Sequence, residues 1–140
     1  MGILAIDPGV NKCGFAFSDA LRISMRPLEY LRIDGDEERL LEHVAALQLD
    51  LDISTLLVGM PYHMNGKEGE RAKDVRRLIA VLEARFPTLA VHAYDERLTT
   101  KEAESRLREQ GYRVKEIMKR KDSMSAFVLL EDWIESGEPS

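Results

Sequence analysis

The chain has 140 residues, enough for one domain with a hydrophobic core, and we expect residues 1–140 to form a single domain. Hydrophobic residues make up 44% and charged residues 32%, a mixture typical of globular rather than disordered proteins. A single cysteine, Cys13, excludes an internal disulfide framework and a cysteine-rich zinc site. No apolar run is long enough for a bilayer and no signal-peptide pattern opens the chain, so we expect a cytoplasmic protein without membrane contact.

The formal net charge of −5 at first argues against a nucleic-acid-binding protein. The acids, however, are concentrated in two segments. Residues 34–52 carry seven acids and one base, and residues 122–140 carry five acids and no base. The rest of the chain holds 13 acids and 19 bases, so the negative total charge does not exclude a basic surface.

Three extended segments open the chain. Gly2–Asp7 is an apolar run that ends in the turn signal Asp-Pro-Gly, Cys13–Ser18 alternates apolar and small residues, and Met25–Ile33 is a third extended stretch. Because the connections between them are short, we predict that they form an antiparallel meander.

Helical and extended patterns alternate after residue 34. Apolar residues recur at helical spacing from Leu40 to Leu47, with Asp36 or its neighbour as the N-cap. The almost entirely apolar segment Ile53–Met60 predicts a strand buried on both faces. A helix over 70–85 and a strand over Leu89–Tyr94 follow.

Two more helices are predicted towards the C-terminus. One covers about 100–110, where Thr99 and Glu102 can form a capping box, and the other runs from about Asp122 to Ile134. The segment between them, from Gly111 to Lys121, has little regular patterning. We predict a mobile basic loop there that becomes ordered on nucleic acid.

The predicted order βββαβαβαα indicates an α/β fold. Three antiparallel strands followed by right-handed α crossovers give a mixed five-stranded sheet with helices on both faces, which is the ribonuclease-H-like arrangement. The strands 2–7 and 53–60 should then be parallel neighbours, with the strand 89–94 beyond them.

Acidic residues stand where the carboxyl ends of the parallel strands form a ligand-binding edge. Asp7 ends the first strand, Asp95 and Glu96 follow the fifth, and Asp122 opens the last helix. Strands lie about 4.8 Å apart, so carboxylates from the first and fifth strands can meet over the middle strand, where Gly59 leaves space. Such a cluster favours a hard divalent cation, and two such ions can clamp a phosphodiester during attack by water.

Each of these residues also has a purely structural interpretation. Asp7 can be a turn residue, Asp95 and Glu96 a solvated strand end paired with Arg97, and Asp122 only an N-cap. The segment 7–14 is compatible with the phosphate loop of an actin-like kinase as well, but that fold needs a second similar domain, for which 140 residues are too few.

Four segments that run almost from end to end carry one family pattern. They are Asp7-x-Gly9-x-x-Lys12-x-Gly14-x-Ala16-x-Ser18-Asp19, Val58-Gly59-x-Pro61 with Gly66, Asp95-Glu96-Arg97-x-Thr99-Thr100, and Lys121-Asp122-Ser123. In this order they resemble the YqgF (RuvX) family of pre-16S ribosomal RNA nucleases and Holliday-junction-resolvase-like proteins. The RuvC-type junction resolvase is less similar, because its last helix carries a second acid one turn after the first, where this chain has Ser125.

The resemblance implies a ribonuclease-H-like fold, a bacterial cytoplasmic setting and a role in maturing the 5′ end of pre-16S ribosomal RNA. It implies Asp7, Glu96 and Asp122 as the catalytic acids, which would also hold Mg²⁺ or Mn²⁺, with Asp95 as a less certain member. Lys12 stands where arginine is common, which keeps the charge but loses bidentate phosphate geometry.

Basic residues flank the predicted site on both sides in the sequence. We predict that Lys12 and Arg97 position phosphates, together with further bases of two clusters. These further bases are Arg76, Lys115, Lys119, Arg120 and Lys121. The leading hypothesis is a metal-dependent nuclease acting on structured RNA, with ribosomal particles as partners, as a monomer or homodimer. Cleavage of branched DNA such as a Holliday junction, and a non-catalytic nucleic-acid-binding module, stay open as alternatives.

Overall fold

The computed structural model describes residues 2–61, 69–95, 109 and 114–138, and within 114–122 it describes the backbone alone. The element order is β-β-β-α-β-α-β-α over these residues. Their bounds are β1 Gly2–Asp7, β2 Lys12–Ser18, β3 Met25–Arg32, α1 Glu37–Asp50, β4 Ile53–Met60, α2 Glu70–Arg85, β5 Ala90–Asp95 and α3 Val114–Glu135. Of the predicted helix over 100–110, only residue 109 lies within this part of the chain.

The five strands form one mixed sheet in the order β3-β2-β1-β4-β5. β2 is antiparallel to both β1 and β3, whereas β4 is parallel to both β1 and β5. The meander and the two crossovers are therefore confirmed, and so is the ribonuclease-H-like α/β fold. The carboxyl ends of β1, β4 and β5 lie at one edge of the sheet, which is called the C-edge below.

Helices cover both faces of the sheet, and the strand residues alternate between two cores. Leu4 and Ile6 of β1 pack with the buried residues of α1 and α2, while Ile3 and Ala5 pack with α3. The buried stretch of α3 contributes Met124, Phe127, Leu130 and Trp133 among others. The face under α1 and α2 is called the α1/α2 face, and the other the α3 face.

The first helix begins as the sequence predicts. Asp36 is its N-cap, and its side-chain Oδ1 accepts a hydrogen bond from the backbone N–H of Glu38 over 3.1 Å. Asp36 and its neighbours thus begin α1 at the C-edge, directly after β3. An ion pair between Glu38 and Arg85, 2.7 Å apart, connects the start of α1 to the end of α2 on the outer surface.

The last helix starts earlier than predicted. It begins at Val114 rather than at Asp122, and residues 114–121 of the expected basic loop are helical. The prediction of a loop ordered only by nucleic acid is therefore wrong for these residues. The stretch contains no glycine or proline, and its lysine, arginine, glutamate and methionine residues favour a helix. Once the buried segment 123–130 has packed on the sheet, each further helical residue adds a hydrogen bond without a new nucleation cost.

Across the described ranges, none of the helices combines the length and apolar composition that a bilayer span requires.

Candidate functional site

Asp7 lies at the C-edge on the α3 face. It ends β1, pairs with Gly14 of β2 and is half-buried. Side chains alternate along a strand, and Ile3 and Ala5 pack under α3, so Asp7 is directed to that same face. The turn Pro8–Asn11 follows and returns the chain into β2. The structure therefore combines the predicted turn with a carboxylate at the ligand-binding edge.

The neighbouring strand β4 presents no side chain beside Asp7. Val58 is the partner of Ile6, so Gly59 is the next residue along β4, level with Asp7. Leu57 packs under α3, and the same alternation puts Gly59 on the α3 face. On β5, Tyr94 is the partner of Gly59. The α3 face thus has an open position between β1 and β5, as the sequence predicted from Gly59.

Asp95 belongs to the other face of the sheet. Its partner on β4 is Met60, which is fully buried in the α1/α2 core, whereas Tyr94, one residue earlier, packs with the α3 core. Asp95 and Asp7 therefore leave the sheet on opposite faces, although both are at the C-edge. Glu96 and Arg97, the other predicted site residues of this segment, lie outside the described ranges.

Asp122 is in the interior of α3, eight residues after its first residue. The alternative that Asp122 serves only as the N-cap of this helix is therefore wrong. An aspartate in a helix interior lowers helix stability relative to most residues, because its short carboxylate competes for backbone hydrogen bonds. A position that keeps such a residue without a capping function is a candidate for a chemical one.

Ser123 connects this part of α3 to the strands that carry the site. It is 1% exposed, and its Oγ accepts a hydrogen bond from the backbone N–H of Phe15 over 3.3 Å. Phe15 is the partner of Ile6 on β1, one residue pair from Asp7 and Gly14. The contact therefore holds the backbone of Asp122 close to the end of β1. Sequence reasoning missed it, since a serine before an apolar helical run carries no signal of its partner.

The predicted basic residues separate into two groups on opposite faces. Lys12 is exposed at the start of β2, and its Nζ lies 5.1 Å from the ring centroid of Tyr30. Arg76 is exposed on α2 and thus belongs to the α1/α2 face. Besides Arg97, which lies outside the described ranges, four others belong to α3, where the structure describes their backbone alone. These four are Lys115, Lys119, Arg120 and Lys121.

A cavity of about 250 Å³ lies on the α1/α2 face, between the turn after β1 and the first half of α2. Pro8, Gly9, Arg71 and Arg77 contribute to its lining, whereas Asp7 does not. The candidate site is an open strand edge on the other face. This cavity and the candidate site therefore lie on opposite faces of the sheet.

Cys13 is not available as a thiolate nucleophile. Burial raises the pKa of its thiol, and the backbone carbonyl of Gly9, 3.7 Å from Sγ, accepts its S–H. The thiol is fully buried and stays protonated at neutral pH. The chemistry at this edge must therefore come from oxygen and nitrogen groups.

The described side chains form no group of three metal-ligating residues. Of the predicted triad, only the Asp7 side chain is within them, so the convergence of Asp7, Glu96 and Asp122 stays a prediction. The donor type fits a hard cation all the same, since carboxylate oxygens are the ligands that Mg²⁺ and Mn²⁺ favour.

Comparison with known proteins identifies close relatives over almost the whole chain. Residues 1–136 match the family model RuvX, described as Holliday junction resolvase. A protein of Anaeromyxobacter sp. named "Putative pre-16S rRNA nuclease" is 38% identical over 135 residues, 96% of this chain and 97% of that protein. A protein of Lactococcus lactis subsp. cremoris with the same name is 34% identical over 96% of this chain and 94% of its own length.

Solved structures share the fold at low sequence identity. The RuvC of T. thermophilus in complex with a Holliday junction substrate superposes with a TM-score of 0.59 at 19% identity, covering 99% of this chain and 97% of its own. The resolvase of Fowlpox virus in complex with Holliday junction DNA gives a TM-score of 0.63 at 15% identity, covering 99% of this chain and all of its own. At such identities the likeness supports the fold.

Proposed function

The chain belongs to the RuvX family, and we propose that it is a metal-dependent nuclease whose active site is at the C-edge on the α3 face. The observation that carries this proposal is the place of Asp7. It stands on the face that α3 covers, beside the open position at Gly59, and the hydrogen bond between Ser123 and Phe15 holds Asp122 close by.

The catalytic acids in this proposal are Asp7, Glu96 and Asp122. Asp95 leaves the sheet on the α1/α2 face, opposite to Asp7, because its partner on β4 is the buried Met60. This supports Glu96 rather than Asp95 as the partner of Asp7. The three carboxylates would hold Mg²⁺ or Mn²⁺. When bound, such ions supply charge for the phosphate and a more acidic water.

The residues of the chain position the substrate around this centre. Lys12 and Arg97 would position phosphates of the substrate, and the four bases of α3 before Asp122 would contact its backbone further along. Arg76 lies on the other face, so in this proposal it contacts only nucleic acid that bends around the C-edge. Outside the two acidic segments the bases outnumber the acids by six, and this excess supports the proposed contacts with phosphates.

We propose pre-16S ribosomal RNA as the substrate and cleavage at its 5′ end as the reaction, because the relatives over 30% identical carry that name. This role would place the protein in the cytoplasm, in contact with ribosomal particles, as a monomer or homodimer. The alternative substrate is a Holliday junction, which the description of the family model and the structural neighbours favour.

The experiment compares Asp7→Asn with Asp50→Asn. Asp50 ends α1 at the opposite edge of the sheet, so its substitution makes the same charge change far from the site. We expect Asp7→Asn to abolish Mn²⁺-dependent cleavage of a pre-16S transcript while Asp50→Asn keeps the wild-type rate. Full cleavage by Asp7→Asn, in preparations free of contaminating nuclease, would refute the proposed site. Cleavage of a four-way DNA junction but not of the transcript would select the alternative substrate.

A further inference from the structure

A partly exposed tyrosine stands beside the candidate site. Tyr30 of β3 is 41% exposed, and the ammonium of Lys12 lies over its ring, 5.1 Å from the centroid. Lys12 is exposed as well. An aromatic ring next to a cation is the pair of groups with which proteins hold unpaired nucleotides, the ring stacking on a base and the cation contacting its phosphate.

An irregularity in the sheet directs Tyr30 to the α3 face, where the candidate site lies. The register of β2 and β3 shifts between Cys13 and Phe15, where Leu31 and Leu28 are the respective partners. Leu28 and Leu31 both pack against the α1/α2 core although they are three residues apart. A strand without a bulge would direct them to opposite faces. The extra residue therefore leaves Tyr30 on the α3 face, where it meets Lys12.

The ring is at a useful distance from Asp7. Asp7 pairs with Gly14 on β2, and Tyr30 lies next to Gly14 on β3, within the bulge. Two strand spacings separate their backbones, which is about 10 Å. A stacked nucleic-acid strand rises about 3.4 Å per nucleotide, so a base on Tyr30 would be about three nucleotides from a phosphate at Asp7.

We propose that Tyr30 and Lys12 form a stacking platform for an unpaired nucleotide of the substrate, about three nucleotides from the bond that is cleaved. This inference rests on the proposed function, because it uses Asp7 as the reaction centre. A base of any identity can stack on the ring, and the Lys12 ammonium moves from the ring to the adjacent phosphate. A base inside a duplex is already stacked on both sides, so the platform selects single-stranded segments.

The test measures binding without cleavage. Full-length variants are titrated against a fluorescein-labelled 12-nucleotide single-stranded RNA and against a fully paired RNA hairpin whose strands are joined by a non-nucleotide linker, in EDTA at fixed salt, with anisotropy as the readout. Replacing an aromatic platform residue weakens single-strand binding by about 5- to 150-fold. We expect Tyr30→Leu to show such a loss for the single strand and less than about twofold for the hairpin. Tyr30→Phe, the matched control, should stay within about twofold of the wild type for both.

Stability and salt dependence separate the platform from simple cross-strand packing. Urea unfolding establishes that each variant is folded, and Tyr30→Thr replaces Tyr30→Leu if the latter is not. Lys12→Gln should reduce the slope of log Kd against log salt by about 0.7 for the single strand, as expected for one phosphate contact.

The outcomes distinguish this inference from the proposed function. Unchanged single-strand binding by a folded Tyr30→Leu, or an equal loss for both probes, overturns the platform while the nuclease proposal stands. No binding of either probe by the wild type overturns both. If Tyr30→Leu loses single-strand binding as expected but Asp7→Asn cleaves fully, the platform stands as a binding site and Asp7 is rejected as the reaction centre.

Discussion

Loss of the hydrogen bond between Ser123 and Phe15 should lower the free energy of unfolding by a measurable amount. In Ser123→Ala the backbone N–H of Phe15 loses its acceptor in a place where Ser123 is only 1% exposed, so water cannot replace the hydroxyl. A buried donor left without its acceptor costs about 1–3 kcal/mol. Alanine recovers up to about 0.5 kcal/mol through its higher helix propensity. We therefore expect a net loss of about 0.5–3 kcal/mol in the free energy of unfolding.

Urea unfolding at pH 7 is the assay, with Ser136→Ala as the matched control. The hydroxyl of Ser136 also hydrogen-bonds, to the carbonyl of Asp132 over 2.7 Å and to Tyr94 over 3.1 Å, but all these groups are exposed. Water can replace that hydroxyl, so the control should change stability by no more than about 0.5 kcal/mol. The dependence on urea concentration should be the same in both, since neither changes the surface exposed on unfolding.

The reasoning would be refuted if Ser123→Ala were as stable as Ser136→Ala. Phe15 N–H would then have another acceptor, and the position of Asp122 would not depend on this bond. If Ser123→Ala is destabilised as expected, its cleavage rate measured well below the unfolding midpoint reports the second role of the contact. We expect the folded variant to cleave more slowly than Ser136→Ala, because Asp122 is held less firmly beside β1.

Two further predictions concern the turn after β1 and the core of the α1/α2 face. In Gly9→Ala the new Cβ would clash with the backbone carbonyl oxygen of Lys12, so the turn must open. We expect a loss of about 1–3 kcal/mol in the free energy of unfolding, together with slower cleavage because Asp7 and Lys12 flank the turn. In Gly35→Ala nothing lies within 4 Å of the new Cβ, but φ is +81°, so this variant should lose stability and keep its cleavage rate. If Gly35→Ala and Gly9→Ala slowed cleavage equally, the turn after β1 would have no special role in cleavage. Burial lowers the pKa of His43, whose ring lies 4.9 Å from that of Phe15, below its usual value of 6.5. Because the folded state disfavours protonated His43, the protein keeps its full stability above pH 6.5 and loses stability as the pH falls below that value. The free energy of unfolding, measured at pH 7, 6 and 5, should decline less in His43→Gln than in the wild type. Equal declines in the two proteins would disprove the lowered pKa of His43.

Local patterns determined most of the fold before any tertiary contact was known. The period of two over Cys13–Ser18, the apolar run Ile53–Met60 and the helical spacing over 70–85 each predict an element that the structure confirms. These signals are strong because burial of one face, or of both, imposes a period on the residues themselves. The order of elements then leaves few topologies, since crossovers are right-handed.

The tertiary structure decided which side chains meet. The start of α3 at Val114 depends on the docking of the later segment 123–130, which local propensity does not include. The face of Tyr30 depends on a bulge, and one extra residue in a strand reverses every side chain beyond it. Asp95 and Glu96 are adjacent in sequence, and only the partner of Asp95, the buried Met60, directs that carboxylate away from Asp7.

The sequence by itself therefore determined the class of protein and the edge of the sheet at which its acids stand. It could not determine the face, because a strand sends neighbouring residues to opposite sides and the choice between them is made by packing against helices far away in the chain. The net charge of −5 likewise does not show which surface is basic. It is a sum over the whole molecule, whereas the proposed contact with nucleic acid depends on the local arrangement of Lys12, Tyr30 and Asp7 on one face.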